Sequence, residues 1–483
     1  MRFFFRTVLL TGLLWGVVNC VNAQMALVSF DALHPAAAVP QYATISSINI
    51  TGNKRTRPEI ILRELDFKEG DTIALSELAE RIERNELNLM NTGLFLQANI
   101  WYDGWEGATN NISLHVGVLE GMFIVPFPIL ELADRNFNVW WETYNHSLRR
   151  LNWGVRFLHA NLTGRKDPLK AVVQMGFTKK FEIIYTLPFF NKYKTLGANI
   201  NWLHTREKEI GYTTENDMLL FHRGDEILLK RFRLGLGLRL RPHYDAYHAL
   251  DISWHRNEVA SVVLNELNPE FFTKGTTQRF ATVNYEFTYD KRDIKPYPLS
   301  GYFFETQVKA QGLGMSEDIN TLELMVTYMQ YFRLAPRWSI EMGVRGKTEL
   351  LRNKVPYYNS VALGYYLDYI KGYEFYVIDG TDYAWQKSTL RFGLLDRSFD
   401  LSKYMPYEAF KLMPLKVYLA LHNELAYVNN PWYGVGNPMA NQLLWGLSLG
   451  LDFQLYYNKV FSIELSRNHL NEYGFYLHWS LAF

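Results

Sequence analysis

The end of the chain carries the pattern that most restricts its fold. Large apolar side chains occupy every second position, at Tyr473, Phe475, Leu477, Trp479, Leu481 and Phe483. The residues between them, beginning with Gly474, are on balance smaller or more polar. Because side chains alternate between the two faces of a β-strand, this segment predicts a strand with one continuously apolar face. Such a strand suits the lipid side of a transmembrane β-barrel, or the edge of a soluble β-sandwich.

The other end of the chain is typical of a secretory signal. Arg2 and Arg6 precede an apolar stretch, residues 8–18, that is too short to span a bilayer. The small residue Ala23 predicts cleavage after position 23, so residues 1–23 are interpreted as a signal peptide. The only cysteine, Cys20, would leave with the signal. We therefore expect no disulfide and no cysteine-based metal site in the mature protein.

The composition favours a barrel over a bundle of spanning helices. After the signal, no segment approaches the roughly 20 apolar residues that a spanning helix requires. The chain is nevertheless 48% hydrophobic and 16% aromatic. This combination is expected where lipid-facing and lumen-facing side chains alternate between aromatic girdles. The formal charge of +1 provides no basic field for nucleic acid.

Alternating segments recur through the second two-thirds of the chain. In the clearest one, leucines at 234, 236, 238 and 240 alternate with glycine and arginine, which suits a lipid face and a wet lumen. Sixteen such segments are predicted, at 137–144, 151–161, 169–178, 181–189, 193–205, 226–240, 245–257, 279–290, 301–311, 321–333, 337–348, 382–395, 412–428, 441–456, 459–467 and 472–483. Segment 208–222 is either a further strand or an extension beyond the membrane. The prediction is an all-β transmembrane barrel of about 16 antiparallel strands over residues 137–483.

Residues 45–122 differ in character and predict a small α+β domain, preceded by a linker at 24–44. Their order is strand, helix, helix, strand, strand. Thr56 and Glu59 have the spacing of a capping box, which predicts the start of the first helix. Ser76 is predicted to cap the second helix.

Three motifs in this domain resemble a POTRA domain, the periplasmic module of outer-membrane assembly barrels. They are Ile50-Thr51-Gly52-Asn53, Ile61-Leu62-Arg63-Glu64 and Asn91-Thr92-Gly93-Leu94-Phe95. Ahead of a barrel, they make the chain similar to the BamA/TamA superfamily, the bacterial surface antigen family, with room for a single POTRA domain. The resemblance implies a bacterial outer-membrane barrel whose POTRA domain lies in the periplasm and receives extended client strands by β-augmentation.

Motifs inside the barrel carry the same resemblance. Asp290 and Arg292 resemble the family's Asp-x-Arg strand end, and Pro298 and Gly301 resemble its aromatic-Pro-x-x-Gly turn. The last strand resembles the C-terminal assembly signal of outer-membrane barrels. The residues expected to carry that signal are Gly474, Leu477, Trp479 and Phe483.

A further motif lies in the irregular stretch between about 349 and 381. Lys371, Gly372 and Tyr373 resemble the tip of the family's sixth extracellular loop, which folds back into the lumen. The family usually has arginine where this chain has Lys371, which keeps the charge but loses the planar fork. Strand parity places three candidate partners in the lumen, namely Glu424, Asp452 and Glu464. The specific expectation is that Lys371 pairs with Glu424 or Asp452, the alternative being carboxylates that contact only water.

No pattern in the sequence points to catalysis. It contains no His-Glu-x-x-His, no Gly-x-Ser-x-Gly elbow and no phosphate-binding loop. We therefore expect neither enzymatic activity nor a cofactor.

The resemblance implies a different activity, in which the protein inserts barrel proteins or translocates a polypeptide across the outer membrane. Strands would be templated at a weakly closed seam between the first strand, near Phe137, and the last, ending at Phe483. The implied partners are an unfolded outer-membrane protein or secreted polypeptide, outer-membrane lipid and lipoprotein accessory subunits, without nucleic acid. The alternative is a passive diffusion pore, which would not need residues 45–122.

Overall fold

A computed structural model of the chain describes residues 42–104, 110–132, 145–243, 245–314, 316–365, 368–405, 411–456 and 459–481. The predicted signal peptide and most of the predicted linker lie outside these residues. So do the predicted first strand at 137–144 and the final residue, Phe483.

The N-terminal domain consists of two helices packed on a four-stranded sheet. Its elements are β1 (Tyr42–Thr51), α1 (Pro58–Glu64), β2 (Thr72–Ala74), α2 (Leu75–Met90), β3 (Phe95–Asp103) and β4 (Asn111–Glu120). The sheet order is β2-β1-β4-β3, with β1 parallel to β4. Ile45, Ile61, Leu89 and Leu114 are fully buried between the sheet and the helices. The predicted α+β order is confirmed, with the short strand β2 added before α2.

Both predicted helix caps are wrong. Helix α1 begins at Pro58, whose fixed φ and missing N–H suit the first helical position. Thr56 lies outside the helix, and its Oγ1 accepts a hydrogen bond of 3.0 Å from the side chain of Asn161. Helix α2 begins at Leu75, so Ser76 lies within its first turn and makes no cap. Contacts outside the helices therefore outweigh the local capping pattern.

Among the described residues, sixteen antiparallel strands form one large sheet, which matches the predicted number. They are β5 (Ile124–Leu132), β6 (Leu151–His159), β7 (Leu169–Gly176), β8 (Thr178–Leu187), β9 (Leu196–Glu207), β12 (Leu229–Leu240), β13 (Ala246–Val259), β14 (Thr277–Asp290), β15 (Gly301–Gln311), β16 (Thr321–Ala335), β17 (Trp338–Glu349), β20 (Asp382–Asp400), β21 (Leu412–Asn429), β22 (Leu443–Leu455), β23 (Lys459–Asn468) and β24 (Tyr473–Leu481). Each strand pairs with the next one in this order, from β5 to β24.

The start of the sheet corrects the predicted domain boundary. The first strand is β5, which begins at Ile124, whereas the sequence placed the first strand at 137–144 and the barrel from 137. Pro126 and Pro128 explain why the sequence did not predict this strand. Proline argues against a central strand and is tolerated only in an edge strand. The edge position of β5 in the sheet satisfies that condition.

Two short hairpins lie outside the large sheet. Strands β10 (Glu209–Glu215) and β11 (Met218–Arg223) pair with each other between β9 and β12, so segment 208–222 is an extension. Strands β18 (Val361–Leu363) and β19 (Ile378–Asp379) pair within the long connection between β17 and β20. No helix among the described residues has the length and apolarity needed to cross a membrane.

The two faces of the large sheet differ as the alternation predicts. On β12, Leu234, Leu236 and Leu238 are 44%, 62% and 49% exposed on the outer face. Buried polar side chains, including glutamate and aspartate, lie on the inner face of the late strands. This is the arrangement of a barrel that has lipid outside and a polar lumen inside.

Candidate functional site

The tip of the long loop between β17 and β20 contacts the inner face of the late strands. The ammonium group of Lys371 lies 2.6 Å from the carboxylate of Glu464 on β23. The two side chains are 13% and 2% exposed. The ion pair therefore fixes the loop tip to the barrel wall in a site with little water.

This geometry corrects the expected pairing of Lys371 with Glu424 or Asp452. Glu424 accepts a hydrogen bond of 2.9 Å from the backbone N–H of Lys371, and its carboxylate lies 3.6 Å from the ammonium of Lys387. Asp452 accepts a hydrogen bond of 2.6 Å from the hydroxyl of Tyr297. All three carboxylates are buried in the lumen. Strand parity could not predict which of them pairs with Lys371, because that depends on where the loop lies in the folded protein.

Close backbone contacts hold the rest of the tip. Gly372 has a φ of +84°, and its carbonyl accepts a 3.0 Å hydrogen bond from the side chain of Asn468. The hydroxyl of Tyr373 donates to the carbonyl of Trp445 at 3.0 Å. A Cβ at Gly446 would lie 2.0 Å from the carbonyl oxygen of Lys371, so only glycine admits the loop at that position of β22.

Asp368 anchors the loop on the other side. Its carboxylate accepts hydrogen bonds from Arg345 at 3.1 Å, Tyr383 at 2.6 Å and the indole of Trp385 at 3.1 Å. These donors come from β17 and β20, whereas Glu464 and Glu424 belong to β23 and β21. The loop thus links strands that are separated in the sheet, and nothing in the sequence singled out Asp368 for this role.

The predicted turn motif forms a second group of contacts in the lumen. Arg292 donates two hydrogen bonds to Asp290, of 2.8 and 2.9 Å. Gly301 has a φ of +97°, and a Cβ there would meet the carbonyl of Lys291 at 2.0 Å.

The turn around Pro298 buries Tyr297 against the guanidinium of Arg391, which lies 4.7 Å from the ring centroid. Arg391 also forms an ion pair with Glu341. Sequence reasoning identified the turn, with Tyr297 as its aromatic residue, but missed Arg391, because the two residues lie far apart in the sequence.

In the part of the chain that the structure describes, one group of side chains has the donor types of a metal site. The ligand atoms of Glu374, Glu464 and His478 all lie within 4.8 Å of one another. Glu464, however, already binds the ammonium of Lys371, and Nδ1 of His478 lies 3.0 Å from the hydroxyl of Tyr369. The group therefore connects the loop to β24, with or without an ion.

The POTRA-like domain is docked on the barrel through a buried ion pair. Arg241, directly after β12, donates two hydrogen bonds of 2.7 Å to Glu64 at the end of α1. The carboxylate of Glu64 is 3% exposed. Asn91 adds a 3.1 Å hydrogen bond to the carbonyl of Asp293, and Arg55 bonds the carbonyl of Asn161 at 3.0 Å. Residues at or near the ends of α1 and α2 and residues in the turns of the barrel therefore form this junction.

The ion pair between Glu64 and Arg241 makes docking of the domain depend on pH in the acidic range. Burial opposes ionisation of Glu64, but the positive charges of Lys166 and Arg241, with the hydrogen bonds from Arg241, lower its pKa from 4.5 to about 2. A carboxyl group whose pKa is lower in the docked state than in the undocked state stabilises docking at pH values above its pKa in the undocked state. We expect docking to be complete above about pH 4.5 and to weaken as the pH falls toward 2.

Arg241→Ala is expected to release the domain from this position at neutral pH. Removing one partner of a buried ion pair costs roughly 3 kcal/mol at full effect. Here Glu64 would lose both hydrogen bonds from Arg241, while the positive charges of Arg63 and Lys166 would remain nearby and offset part of that cost. The distance distribution between spin labels on the two domains should broaden markedly. Arg256→Ala is the control, since its ion pair with Glu258 is largely exposed. An unchanged distribution in Arg241→Ala would show that the junction does not depend on this pair.

Within the described residues, two strands of the large sheet have an edge that lacks a partner. No ladder joins β5 to β24, although these are the first and last strands of the sheet. The register of β5 with β6 and the bond from Ala160 N–H to the carbonyl of Phe123 show that odd residues of β5 bond to β6. The backbone groups of its even residues face the seam.

The C-terminal strand has the complementary arrangement. The bond from Asn468 N–H to the carbonyl of Glu472 shows that even residues of β24 face β23, so its odd residues face the seam. Phe475 and Leu477 are 66% and 60% exposed on the outer face. Gly474 belongs to the strand, Trp479 lies on it, and the predicted signal residue Phe483 lies outside the described residues.

Comparisons with known proteins address the domain and the fold. Residues 43–121 match the profile of the POTRA family, described as surface antigen variable number repeat. No curated protein matches the sequence significantly.

Solved structures that resemble most of the chain include two outer-membrane proteins. BamA from Haemophilus ducreyi lacking POTRA domains 1–3 is 12% identical, with 91% of this chain and 84% of that one covered and a TM-score of 0.51. CdiB from Escherichia coli is 11% identical, with 91% and 76% covered and a TM-score of 0.53. Residues 43–121 are therefore a POTRA domain, and the fold of the chain is similar to the folds of BamA and CdiB.

Proposed function

We propose that the protein inserts barrel proteins into the bacterial outer membrane, or translocates a polypeptide across it, by pairing a client strand with an edge of its own sheet. The observation that carries the proposal is the sheet itself, in which no ladder of described residues joins β5 to β24. Backbone groups left unpaired in lipid cost several kcal/mol each, so such an edge favours a partner strand.

The position of the POTRA domain supports client delivery. It is docked on the end of the barrel at which β12 ends and β13 begins, through Glu64 and Arg241. Its outermost long strand, β3, forms a sheet edge, and Trp101 and Tyr102 on that strand are 47% and 45% exposed. An extended client segment would add to this edge by β-augmentation before it reaches the seam.

The proposal places the POTRA domain in the periplasm and the barrel in the outer membrane. An unfolded outer-membrane protein or secreted polypeptide is the client, lipid surrounds the barrel, and lipoprotein subunits are proposed as accessory partners. Strand pairing needs no enzymatic step and no cofactor. The packing of the Lys371 loop against the inner wall argues against the alternative of an open diffusion pore.

Depletion of the protein in its own host, followed by quantification of the outer-membrane and secreted proteomes, tests this function. Loss of many barrel proteins at once would support general insertion. Loss of one secreted or surface protein would support a dedicated transporter. If both proteomes stayed unchanged while uptake of small solutes fell, the proposal would be wrong and the pore would stand.

A further inference from the structure

The two edges of the seam differ in their capacity to pair. The seam-facing residues of β5 are those at 124, 126, 128, 130 and 132, and two of them are Pro126 and Pro128. Proline has no backbone N–H, so this edge lacks a donor at two consecutive seam-facing positions. A strand added there would leave two of its own carbonyl groups without a partner.

The edge of β24 has no such defect. Its seam-facing residues are Tyr473, Phe475, Leu477, Trp479 and Leu481, none of which is proline. Each therefore provides both an N–H and a carbonyl toward the seam. In lipid, where water cannot replace a missing partner, the difference between the two edges is large.

We infer that the edge of β24, and not that of β5, is the binding site for the client strand. This inference rests on the proposed function and specifies which side of the seam carries it out. Because of its two prolines, the edge of β5 cannot form a complete set of backbone hydrogen bonds with any strand, including β24. The edge of β24 is therefore available to bind a client strand.

The geometry also defines the chemistry of the partner. Three of the seam-facing residues of β24, Tyr473, Phe475 and Leu477, also have side chains exposed on the outer face. In an antiparallel pair, residues directly opposite each other have side chains on the same face. The client residues that bond to this edge must therefore be apolar and must not be proline, at alternate positions of an antiparallel strand.

Photo-crosslinking of the full-length protein in detergent micelles tests the assignment. A photoreactive residue replaces Leu477 on β24 or, as the matched variant, Leu130 on β5, both of which are well exposed on the outer face. The probe is a synthetic peptide with the sequence of residues 473–483, which has apolar side chains at alternate positions and no proline. The control peptide has proline at the positions of Phe475 and Leu477. Folding of each variant is checked by its resistance to SDS before heating.

We expect at least fivefold more adduct from position 477 than from position 130, and loss of the adduct with the control peptide. Equal or greater adduct at position 130 would overturn the edge assignment while leaving the proposed function intact. Absence of adduct at both positions would overturn strand binding at the seam. The depletion experiment is independent of either edge and would show separately whether the proposed function also fails.

Discussion

Lys371→Ala is expected to destabilise the folded barrel by roughly 3 kcal/mol or more, the usual cost of removing one partner of a buried ion pair. Glu464 is 2% exposed and would lose its lysine partner at a buried position, where the hydroxyl of Ser448 still donates a hydrogen bond to it. The loop would also lose its link to β23, although Glu424 would still hold its backbone N–H. The temperature at which the folded band disappears on SDS gels should fall, and protease should cleave the loop between 349 and 381.

Two further variants test the physical reason. Lys371→Arg keeps the charge and should retain most of the stability, although its planar fork requires a slightly different approach. Lys274→Ala is the matched control, because its ion pair with Glu317 is exposed to solvent and contributes little to stability. If Lys371→Ala matched the wild-type protein in both heat resistance and protease resistance, the ion pair would have no structural role.

Pro126→Val combined with Pro128→Val is expected to stabilise the barrel and to slow its activity. The double variant restores two N–H groups to the seam-facing edge of β5, where they can bond to carbonyl groups of β24. Each hydrogen bond contributes about 0.5–1.5 kcal/mol, so the seam should gain roughly 1–3 kcal/mol. A closed seam would offer no edge to a client strand.

Heat resistance on SDS gels and the rate at which clients appear in the outer membrane measure the two effects. Leu130→Val is the control, since it alters an outward side chain of the same strand without adding a donor. An increase in stability without slower client assembly would show that closing the seam does not impede function. No change in either quantity would mean that the prolines do not weaken the seam.

Local alternation predicted most of the barrel because lipid and lumen impose opposite requirements on successive residues. Leu234, Leu236 and Leu238 face outward as expected. The same reasoning placed Glu424, Asp452 and Glu464 in the lumen. It failed for β5, because two prolines are compatible with a strand only if that strand is an edge, and an edge is a property of the whole sheet.

The contacts of the loop tip depend on positions that no single segment encodes. Lys371 reaches Glu464 because the loop crosses β22 at Gly446, which a strand pattern alone does not distinguish from other glycines. Asp452 is instead engaged by Tyr297 from the turn at Pro298. The sequence therefore identified the carboxylates on the barrel wall, but it did not identify the residue with which each of them pairs.

Tethering the seam between β5 and β24 tests whether client strands enter there. Cysteine at Leu130 is combined with cysteine at Phe475 or Leu477, in a chain whose only natural cysteine is Cys20. The control tether joins Leu449 and Leu465, which are cross-strand partners inside the sheet.

Client assembly is then measured in cells under oxidising and reducing conditions. We expect the oxidised seam tether to stop assembly, reductant to restore it, and the control tether to have no effect. Full assembly with the seam tethered would contradict the claim.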